Sequence, residues 1–584
     1  MKASDKWRIN SLALAIAAVF STGNGIANAQ TITPVASCAS LATMAFPDTT
    51  ITDTQLLPAG PTTIIGTTAP GTTTPVFGTF NGTLPVAICR VRGTIKPTSV
   101  SNIIFEVWMP VSTWNGKFNG VGNGGTAGSL GLNSMTTDLG RGYATAVTDT
   151  GHQSNNSAFA AVSPELIEDF AHRGYHLTTV VGKQIVTAYY GQAPTYSYFT
   201  GCSTGGAEAL SEAEFYPEDY DGIAAGAPAN HYSLMWPGEV WPSWAALPDP
   251  VGMRNKLPAL NAAAVAACDA TDGLVDGLVS DPRKCKFDPA SIQCPTGTDT
   301  ASCLTPTQVN IARLIYAGFT DPTSGAQIWP PYLLGSEDQW GGHLVQSGNP
   351  PVNYFQYFVY GNPTWSYNDP TFNMQSPATV NQIYAADATF QPRLDSINPD
   401  IRPFGWNGRK LIWYHGWKDQ NISPLNSIVF YSQVVAKVAG FPYGFPSAIT
   451  EQSPIYKAAL QKTQNFARLF MVPGMQHCNG GPGPNTFDYL TALEQWVEHG
   501  VAPDQMIASH STGGVVDRTR PLCPYPKVAN YIGTGSINDA ANFVCGPEPA
   551  CVSGACAPSV QPSCENGVHQ DGVSGYVCAP SASE

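Results

Sequence analysis

A serine between two glycines is the first residue in this sequence whose setting suggests covalent chemistry. Ser203 is the centre of the run Gly-Cys-Ser-Thr-Gly at 201–205, whose glycines allow a sharp strand-to-helix turn that exposes the hydroxyl. Chance matches to this pattern are common in a long chain, so its surroundings matter. Residues 196–199 have strand composition and residues 207–216 helical composition, and a helix N-terminus stabilises developing negative charge. We therefore interpret Ser203 as a nucleophile.

A serine hydroxyl is inert near neutral pH unless a base accepts its proton and an acid orients that base. His477 follows the apolar run Ala467–Val472, and Asp419 follows the apolar run 410–415. The chain order of serine, acid and histidine is the order expected in an α/β hydrolase. A buried structural histidine and an ordinary turn aspartate are the alternative interpretations. The order and the positions favour the catalytic one.

Two cysteines connect the predicted nucleophile and the predicted base. Cys202 directly precedes Ser203, and Cys478 directly follows His477. A disulfide requires Cα atoms about 4.4 to 6.8 Å apart, so a Cys202–Cys478 bridge would hold the two loops within hydrogen-bonding range. The sequence therefore predicts a serine hydrolase that works by acyl transfer.

The elements that must position these residues follow from the apolar pattern. Runs at 103–109, 143–148, 196–199, 410–415 and Ala467–Val472 are typical of the buried strands of a parallel sheet. The long segment between the third and fourth runs is rich in Trp, Pro and Asn, which indicates an insertion. The predicted fold class is α/β, an α/β-hydrolase fold with a large inserted lid domain and several disulfides. The predicted parts are a signal peptide at 1–29, the first part of the hydrolase core at 30–229, the lid domain at 230–400, the second part of the core at 401–545, and a Cys-rich tail at 546–584.

The start of the chain, its cysteines and its charge restrict the compartment and the partners. Residues 1–29 combine a basic end, an apolar stretch too short to span a membrane, and a final Ala-Asn-Ala, so we expect a secreted or periplasmic protein. The 14 cysteines are even in number and no two have zinc-ribbon spacing, which favours disulfides. The net charge of −14, or −16 without the leader's three cations and one anion, disfavours nucleic acid and membranes as partners.

Together these motifs resemble the tannase and feruloyl esterase family, which includes fungal tannases, feruloyl esterases and monohydroxyethyl terephthalate hydrolases. The paired cysteines beside Ser203 and His477, together with Asp419, match the triad of that family. The resemblance covers nearly the whole chain after the leader to about Cys545. Further segments that carry it are GNGG at 122–125, GCSTGG at 201–206, YDGI at 220–223, VPGMQHCNGGPG at 472–483 and RPLCPYP at 520–526.

The resemblance implies an oxyanion hole and a set of disulfides. The backbone N–H groups of Gly122 and Thr204 would bind the oxyanion. The tail cysteines have no counterpart in the family pattern, and their pairing stays open among three possibilities: Cys551, Cys556, Cys564 and Cys578. Besides Cys202/Cys478, the implied bridges are Cys38/Cys89, Cys268/Cys285, Cys294/Cys303 and Cys523/Cys545.

The resemblance also implies a structural Ca²⁺ ion in the lid. The acidic, Gly-containing segment at 268–278 looks like the calcium loop of that family, although its spacing differs from that of an EF-hand. Without the resemblance we would interpret it as a turn. The implied ligands are three carboxylates and two backbone carbonyls, from Asp269, Asp272, Asp276, Leu274 and Leu278.

The expected substrate is a small aromatic ester or plant phenolic ester, such as a feruloyl ester or chlorogenate, because this is the broadest activity of the family. Galloyl esters and terephthalate monoesters are the alternatives within the family. Trp365 and the aromatic run 354–360 are candidates for a wall that binds a flat acyl group. A secreted peptidase would share the triad, and a calcium-dependent binding protein on an inactive hydrolase scaffold is the alternative of another class. We expect a monomer or a weak oligomer.

Overall fold

A computed structural model describes residues 32–64, 67–68, 75–77, 79–346, 350–442, 444–446 and 448–547. The predicted signal peptide and the four tail cysteines lie outside these residues. None of the helices in the described part of the chain is long and apolar enough to cross a membrane.

The centre of the molecule is a nine-stranded sheet with the order β1-β6-β7-β9-β8-β10-β11-β14-β15. The first four of these strands pair antiparallel, and from β9 to β15 all neighbours are parallel. Six parallel strands after an antiparallel edge agree with the predicted hydrolase fold. The strands are β1 Thr49–Leu57, β2 Gly60–Ile64, β3 Thr67–Thr68, β4 Pro75–Phe77, β5 Phe80–Leu84, β6 Ile88–Ile95, β7 Ile103–Pro110, β8 Lys117–Val121, β9 Ala144–Thr148, β10 Tyr196–Cys202, β11 Gly222–Gly226, β12 Phe319–Thr320, β13 Gln327–Trp329, β14 Lys410–Gly416, β15 Ala467–Val472, β16 Met506–Thr512, β17 Val515–Leu522, β18 Val528–Tyr531 and β19 Phe543–Gly546.

Helices cover this sheet, and the central strands are accordingly buried on both faces. All eight residues of β7 and all five of β11 are buried, which explains why these segments are mainly apolar rather than alternating. The exception, Glu106 of β7, is paired with Arg90. The helices are α1 Met135–Gly140, α2 Pro164–Glu168, α3 Gly174–Tyr190, α4 Thr204–Phe215, α5 Tyr232–Ala245, α6 Pro250–Cys268, α7 Pro306–Ala317, α8 Pro350–Tyr354, α9 Pro377–Leu394, α10 Arg402–Trp406, α11 Pro424–Val438, α12 Pro454–Thr463 and α13 Tyr489–His499.

The chain between β11 and β14, residues 227–409, contributes no described strand to the main sheet and is called the insertion below. It contains the predicted lid at 230–400, six helices and the small β12–β13 hairpin. Its helices α5 and α9 pack around an aromatic cluster that they share with Phe159 and Phe170 of the first part of the core. A second apolar cluster, with Met253, Leu257 and Trp340 among its members, lies wholly within the insertion. The insertion thus has its own apolar core beside that of the sheet.

The described residues contain five disulfides, and they are the five pairs that the family resemblance implies. Four close loops of 9 to 51 residues between Cys38 and Cys89, Cys268 and Cys285, Cys294 and Cys303, and Cys523 and Cys545. The fifth joins Cys202 to Cys478 across 276 residues of sequence. Of these five bridges, this last one alone connects the two parts of the chain that flank the insertion.

Candidate active site

Ser203 lies at the turn between β10 and α4, in a backbone conformation that non-glycine residues rarely adopt. Its φ and ψ are 66° and −123°, a strained combination of the kind found at functional sites. The strain is held by the sheet, because the Ser203 N–H donates to the carbonyl of Gly226 at 3.0 Å and the Ser203 carbonyl accepts the N–H of Ala229 at 3.0 Å. The serine is therefore fixed between two neighbouring parallel strands.

The glycines around Ser203 are required by close backbone contacts. A Cβ on Gly201 would lie 2.3 Å from the carbonyl oxygen of Gly205, and one on Gly206 would lie 2.2 Å from that of Gly226. Neither contact can be relieved by moving a side chain, since the opposing atoms belong to the backbone. The tight turn after β10 thus depends on residues without a Cβ.

His477 and Asp419 form the hydrogen-bonded pair predicted from their positions after β15 and β14. Nδ1 of His477 lies 2.8 Å from Oδ2 of Asp419. The Asp419 side chain is fully buried, and its Oδ1 accepts the backbone N–H groups of Asn421 at 2.8 Å and Ile422 at 2.9 Å. The acid is thus fixed by its own turn and presents one oxygen to the histidine.

The electrostatics of this pair suit a base and its orienting acid. Burial alone would raise the pKa of Asp419, but the charge of His477 and hydrogen bonds from His415 and His477 outweigh it and hold the pKa far below its usual value. Burial would lower the pKa of His477, yet the Asp419 carboxylate raises it above the ordinary value. Asp419 is therefore ionised, and His477 gains affinity for a proton.

The Cys202–Cys478 disulfide connects the loops that carry Ser203 and His477. Its Cα atoms are 5.9 Å apart, and Cys478 has a φ of 64°, so the chain turns sharply directly after the histidine. The structure thus pairs the predicted base with the predicted acid and joins the loop of that base to the loop of the predicted nucleophile.

His415 is also part of this site, although no motif in the sequence predicts it. It stands in β14, where its Nε2 lies 3.2 Å from Oδ2 of Asp419 and 3.0 Å from the carbonyl oxygen of Ile422. Its Nδ1 lies 2.6 Å from the hydroxyl of Ser427 in α11. The only sequence signal was its spacing of four residues from Asp419. Two imidazoles thus contact the same carboxylate oxygen.

One of the two predicted oxyanion donors needs correction. The N–H of Gly122 donates to the carbonyl of Thr200 at 2.9 Å, because the parallel register of β8 and β10 continues by one residue beyond Val121. This donor is committed to the sheet, so the prediction for Gly122 is wrong. Thr204 begins α4, and its hydroxyl donates to the carbonyl of Gly125. Its backbone N–H remains the predicted donor.

The aspartates of the expected calcium loop lie between the end of α6 and the strand β17. Both carboxylate oxygens of Asp269 accept backbone N–H groups at 3.0 Å. Arg520 donates to the Asp276 carboxylate at 2.7 Å, and Arg518 donates to the Asp276 carbonyl at 2.8 Å. Among the described residues, two groups of three His, Asp or Glu side chains have ligand atoms within 4.8 Å of one another, and neither includes these aspartates.

The donors of this loop nevertheless suit a hard cation in chemistry and charge. A carboxylate oxygen has two lone pairs, so one hydrogen bond leaves another for a metal. The three carboxylates outnumber the two guanidinium groups of Arg518 and Arg520 beside them, so the loop keeps a net negative charge that a Ca²⁺ ion would offset. Burial and the neighbouring charge of Asp276 raise the pKa of Asp272, as expected where negative charges crowd together. Leu274 and Leu278 donate their N–H groups to Asp272 and Asp276 at 2.9 and 3.2 Å.

The aromatic run 354–360 mainly forms the core of the insertion. Tyr354 and Phe355 are fully buried, and Phe355 stacks on Trp365 with ring centroids 4.6 Å apart. The idea of an aromatic wall for the substrate is therefore wrong for Tyr354 and Phe355, whose faces are covered by other side chains.

Comparison with known proteins gives one family and several relatives. The family described as tannase and feruloyl esterase matches residues 89–546. An uncharacterized esterase of Xanthomonas campestris is 35% identical over 93% of this chain and 96% of its own length. The mono(2-hydroxyethyl) terephthalate hydrolase of Piscinibacter sakaiensis is 33% identical over 79% of this chain and 85% of its own. Among solved structures, feruloyl esterase B from Aspergillus oryzae superposes with a TM-score of 0.76 at 28% identity, covering 87% of this chain and 99% of that one.

Proposed function

This chain belongs to the tannase and feruloyl esterase family and is a carboxylic ester hydrolase, and from this premise we propose that it cleaves esters of hydroxycinnamic acids, such as feruloyl esters or chlorogenate, through an acyl-enzyme on Ser203. The observation that carries the mechanism is the 2.8 Å hydrogen bond between His477 and Asp419, on a loop joined by a disulfide to the residue before Ser203.

The proposed cycle has two acyl transfers that share one base. Because Nδ1 of His477 donates to Asp419, its Nε2 is left to accept the proton of Ser203 as the hydroxyl oxygen attacks the ester carbonyl carbon. The bond to the alcohol then breaks, and the alcohol leaves with that proton. A water molecule attacks the acyl-enzyme in the same way and releases the acid. The N–H of Thr204, at the N-terminus of α4, would stabilise the oxyanion.

Two other ester classes remain as alternatives, each with a specific basis. The 33% identity to the terephthalate monoester hydrolase supports an acid with a second carboxylate. The family itself includes tannases, which supports galloyl esters. All three acids are flat and aromatic, but a hydroxycinnamic acid carries its carboxyl group on a propenoic side chain, whereas the other two carry it directly on rings with different substituents. Turnover of matched esters therefore distinguishes them.

Two further properties belong to the same proposal. Asp269, Asp272 and Asp276, with the carbonyls of Leu274 and Leu278, would hold a structural Ca²⁺ ion, whose role would be to tie the insertion to the C-terminal strands. Residues 1–29 would direct export, in keeping with five disulfides in the described chain.

The test is turnover of methyl ferulate, chlorogenate, methyl gallate and mono(2-hydroxyethyl) terephthalate by the purified protein and by Ser203→Ala. We expect the ferulate esters to have the highest kcat/KM, and the variant to lose at least about 10³-fold in kcat. Ser197→Ala, which removes a hydroxyl from the same strand, should retain activity. Preferred cleavage of the gallate or terephthalate ester would refute the proposed acyl group, and full activity of Ser203→Ala would refute the acyl-enzyme.

A further inference from the structure

A second carboxylate–imidazole pair lies in the insertion, close to the first. Glu239 of α5 places its Oε2 2.9 Å from Nδ1 of His343, and the hydroxyl of Tyr332 lies 3.3 Å from the same oxygen. The Glu239 side chain is 4% exposed, and its Oε1 has no hydrogen-bond partner among the described residues. A carboxylate held in this way keeps its charge only through its neighbours.

Hydrogen bonds connect this pair to the catalytic acid. The imidazole of His343 also contacts the side chain of Asn421, and the N–H of Asn421 donates to Oδ1 of Asp419 at 2.8 Å. The other oxygen of Asp419 contacts His477. A continuous path therefore runs from Glu239 in the insertion to the base on the core.

The path places Glu239 where its charge acts on His477. In a water-poor site one charge acts on another over several ångströms. Burial raises the pKa of Glu239, while the charge of His343 and its hydrogen bond oppose that rise. The Glu239 carboxylate, after Asp419, contributes to raising the pKa of His477. Four other titratable groups lie on this path or beside it. They are His343 and Tyr332, which contact Glu239, and Asp419 and His415, which contact each other.

We propose that Glu239 is a positioning residue that places a second negative charge beside the base, stabilising the His477 imidazolium during acyl transfer, and that His343 holds Glu239 in place and connects it to the Asp419 turn. This inference rests on the proposed function, because it assigns a role to the insertion in that same reaction. The insertion then contributes to the chemistry itself.

The pH dependence of kcat/KM tests this role, since its acidic limb reports the pKa of the free base. Glu239→Gln removes the charge and keeps the shape, so the acidic limb should move to lower pH by about half a unit or more, with a lower kcat. Glu239→Asp keeps the charge and should keep the limb near its original pH. The matched control is Glu337→Gln, because Glu337 is a fully buried carboxylate of the same insertion, bonded to the hydroxyl of Tyr316 at 2.7 Å. It should leave the limb in place.

A measurement without turnover separates this inference from the proposed function. In protein labelled on its histidine rings, the His477 resonance, assigned with His477→Gln, is titrated by NMR in the original chain and in Glu239→Gln. A lower pKa in the variant supports the proposal even if the substrate class is wrong. An unchanged His477 titration in a folded Glu239→Gln protein would overturn the proposal, as would an acidic limb that shifts equally in Glu337→Gln.

Discussion

Asp419 contacts two histidines through one oxygen, and this arrangement sets the chemistry of the pair. Its Oδ2 lies 2.8 Å from His477 and 3.2 Å from His415, while Oδ1 is occupied by two backbone N–H groups. Hydrogen bonds to the ionised form keep a buried carboxylate charged. The acid can therefore stabilise a positive imidazole without taking its proton.

The substitution Asp419→Asn tests this account. An amide has no negative charge and favours the wrong tautomer of His477, so we expect kcat to fall about 10³- to 10⁴-fold while the protein stays folded. His415→Gln, which can still donate to Asp419 or Ile422, should lose far less activity. Steady-state kinetics and circular dichroism of both variants decide the matter. A kcat of Asp419→Asn within tenfold of the original chain would contradict the assignment.

How far the sequence predicts this site depends on whether the signal lies within one stretch of chain. Ser203, His477 and Asp419 were found because each follows an apolar run, and because adjoining cysteines mark two of them as neighbours in space. Gly122 was misassigned, since strand register decides whether an N–H is free. Glu239 and His343 have no local motif and meet only through the packing of the insertion. One amino-acid sequence contains no local pattern that predicts a contact between residues so far apart in the chain.

At the level of elements, the active site is a junction between the ends of three parallel strands. The turns after β10, β14 and β15 carry Ser203, Asp419 and His477, as expected for functional residues at the carboxyl ends of strands in an open sheet. The sheet fixes the separation of the first two turns, whereas the last is also fixed covalently to the first. The disulfide thus fixes the separation of two turns covalently, as the hydrogen bonds of the sheet fix the separation of the others.

The double substitution Cys202→Ala/Cys478→Ala should therefore lower both stability and kcat. Loop-closure entropy gives about 5 to 6 kcal/mol for a bridge over this many residues, and about 2 to 3 kcal/mol for the short Cys294–Cys303 loop. Thermal unfolding and kcat are compared with Cys294→Ala/Cys303→Ala, which should lose less stability and keep its kcat. An equal loss of kcat in the two double variants would contradict a positioning role for the Cys202–Cys478 bridge.

At the level of the whole molecule, the insertion contacts both the part of the core that precedes it in the chain and the part that follows it. Its first residues bond to the nucleophile turn, where the N–H of Ala229 donates to the carbonyl of Ser203. Its Asp-rich loop contacts β17 near the C-terminus through Arg518 and Arg520. The insertion is thus connected to the first and the last parts of the core.

Removal of calcium should loosen this second attachment. If the loop binds Ca²⁺, dialysis against a chelator leaves three carboxylates with only two guanidinium groups beside them, so the Tm should fall and recover when Ca²⁺ is added. Asp269→Asn should remove most of this response. Asp288→Asn, which changes an exposed aspartate paired with Arg313, should retain it. Elemental analysis that finds no calcium, with a Tm insensitive to chelator, would refute the calcium site.

The long reach of the Cys202–Cys478 bridge has a consequence for how the molecule is made. If the chain is exported from its N-terminus, as proposed above, Cys202 emerges long before Cys478, whereas the bridges of 17 and 9 residues in the insertion can close as soon as they emerge. The nucleophile and the base are joined only when the chain is nearly complete. We therefore expect esterase activity only late in biogenesis, and we expect a truncated or wrongly oxidised chain to be inactive.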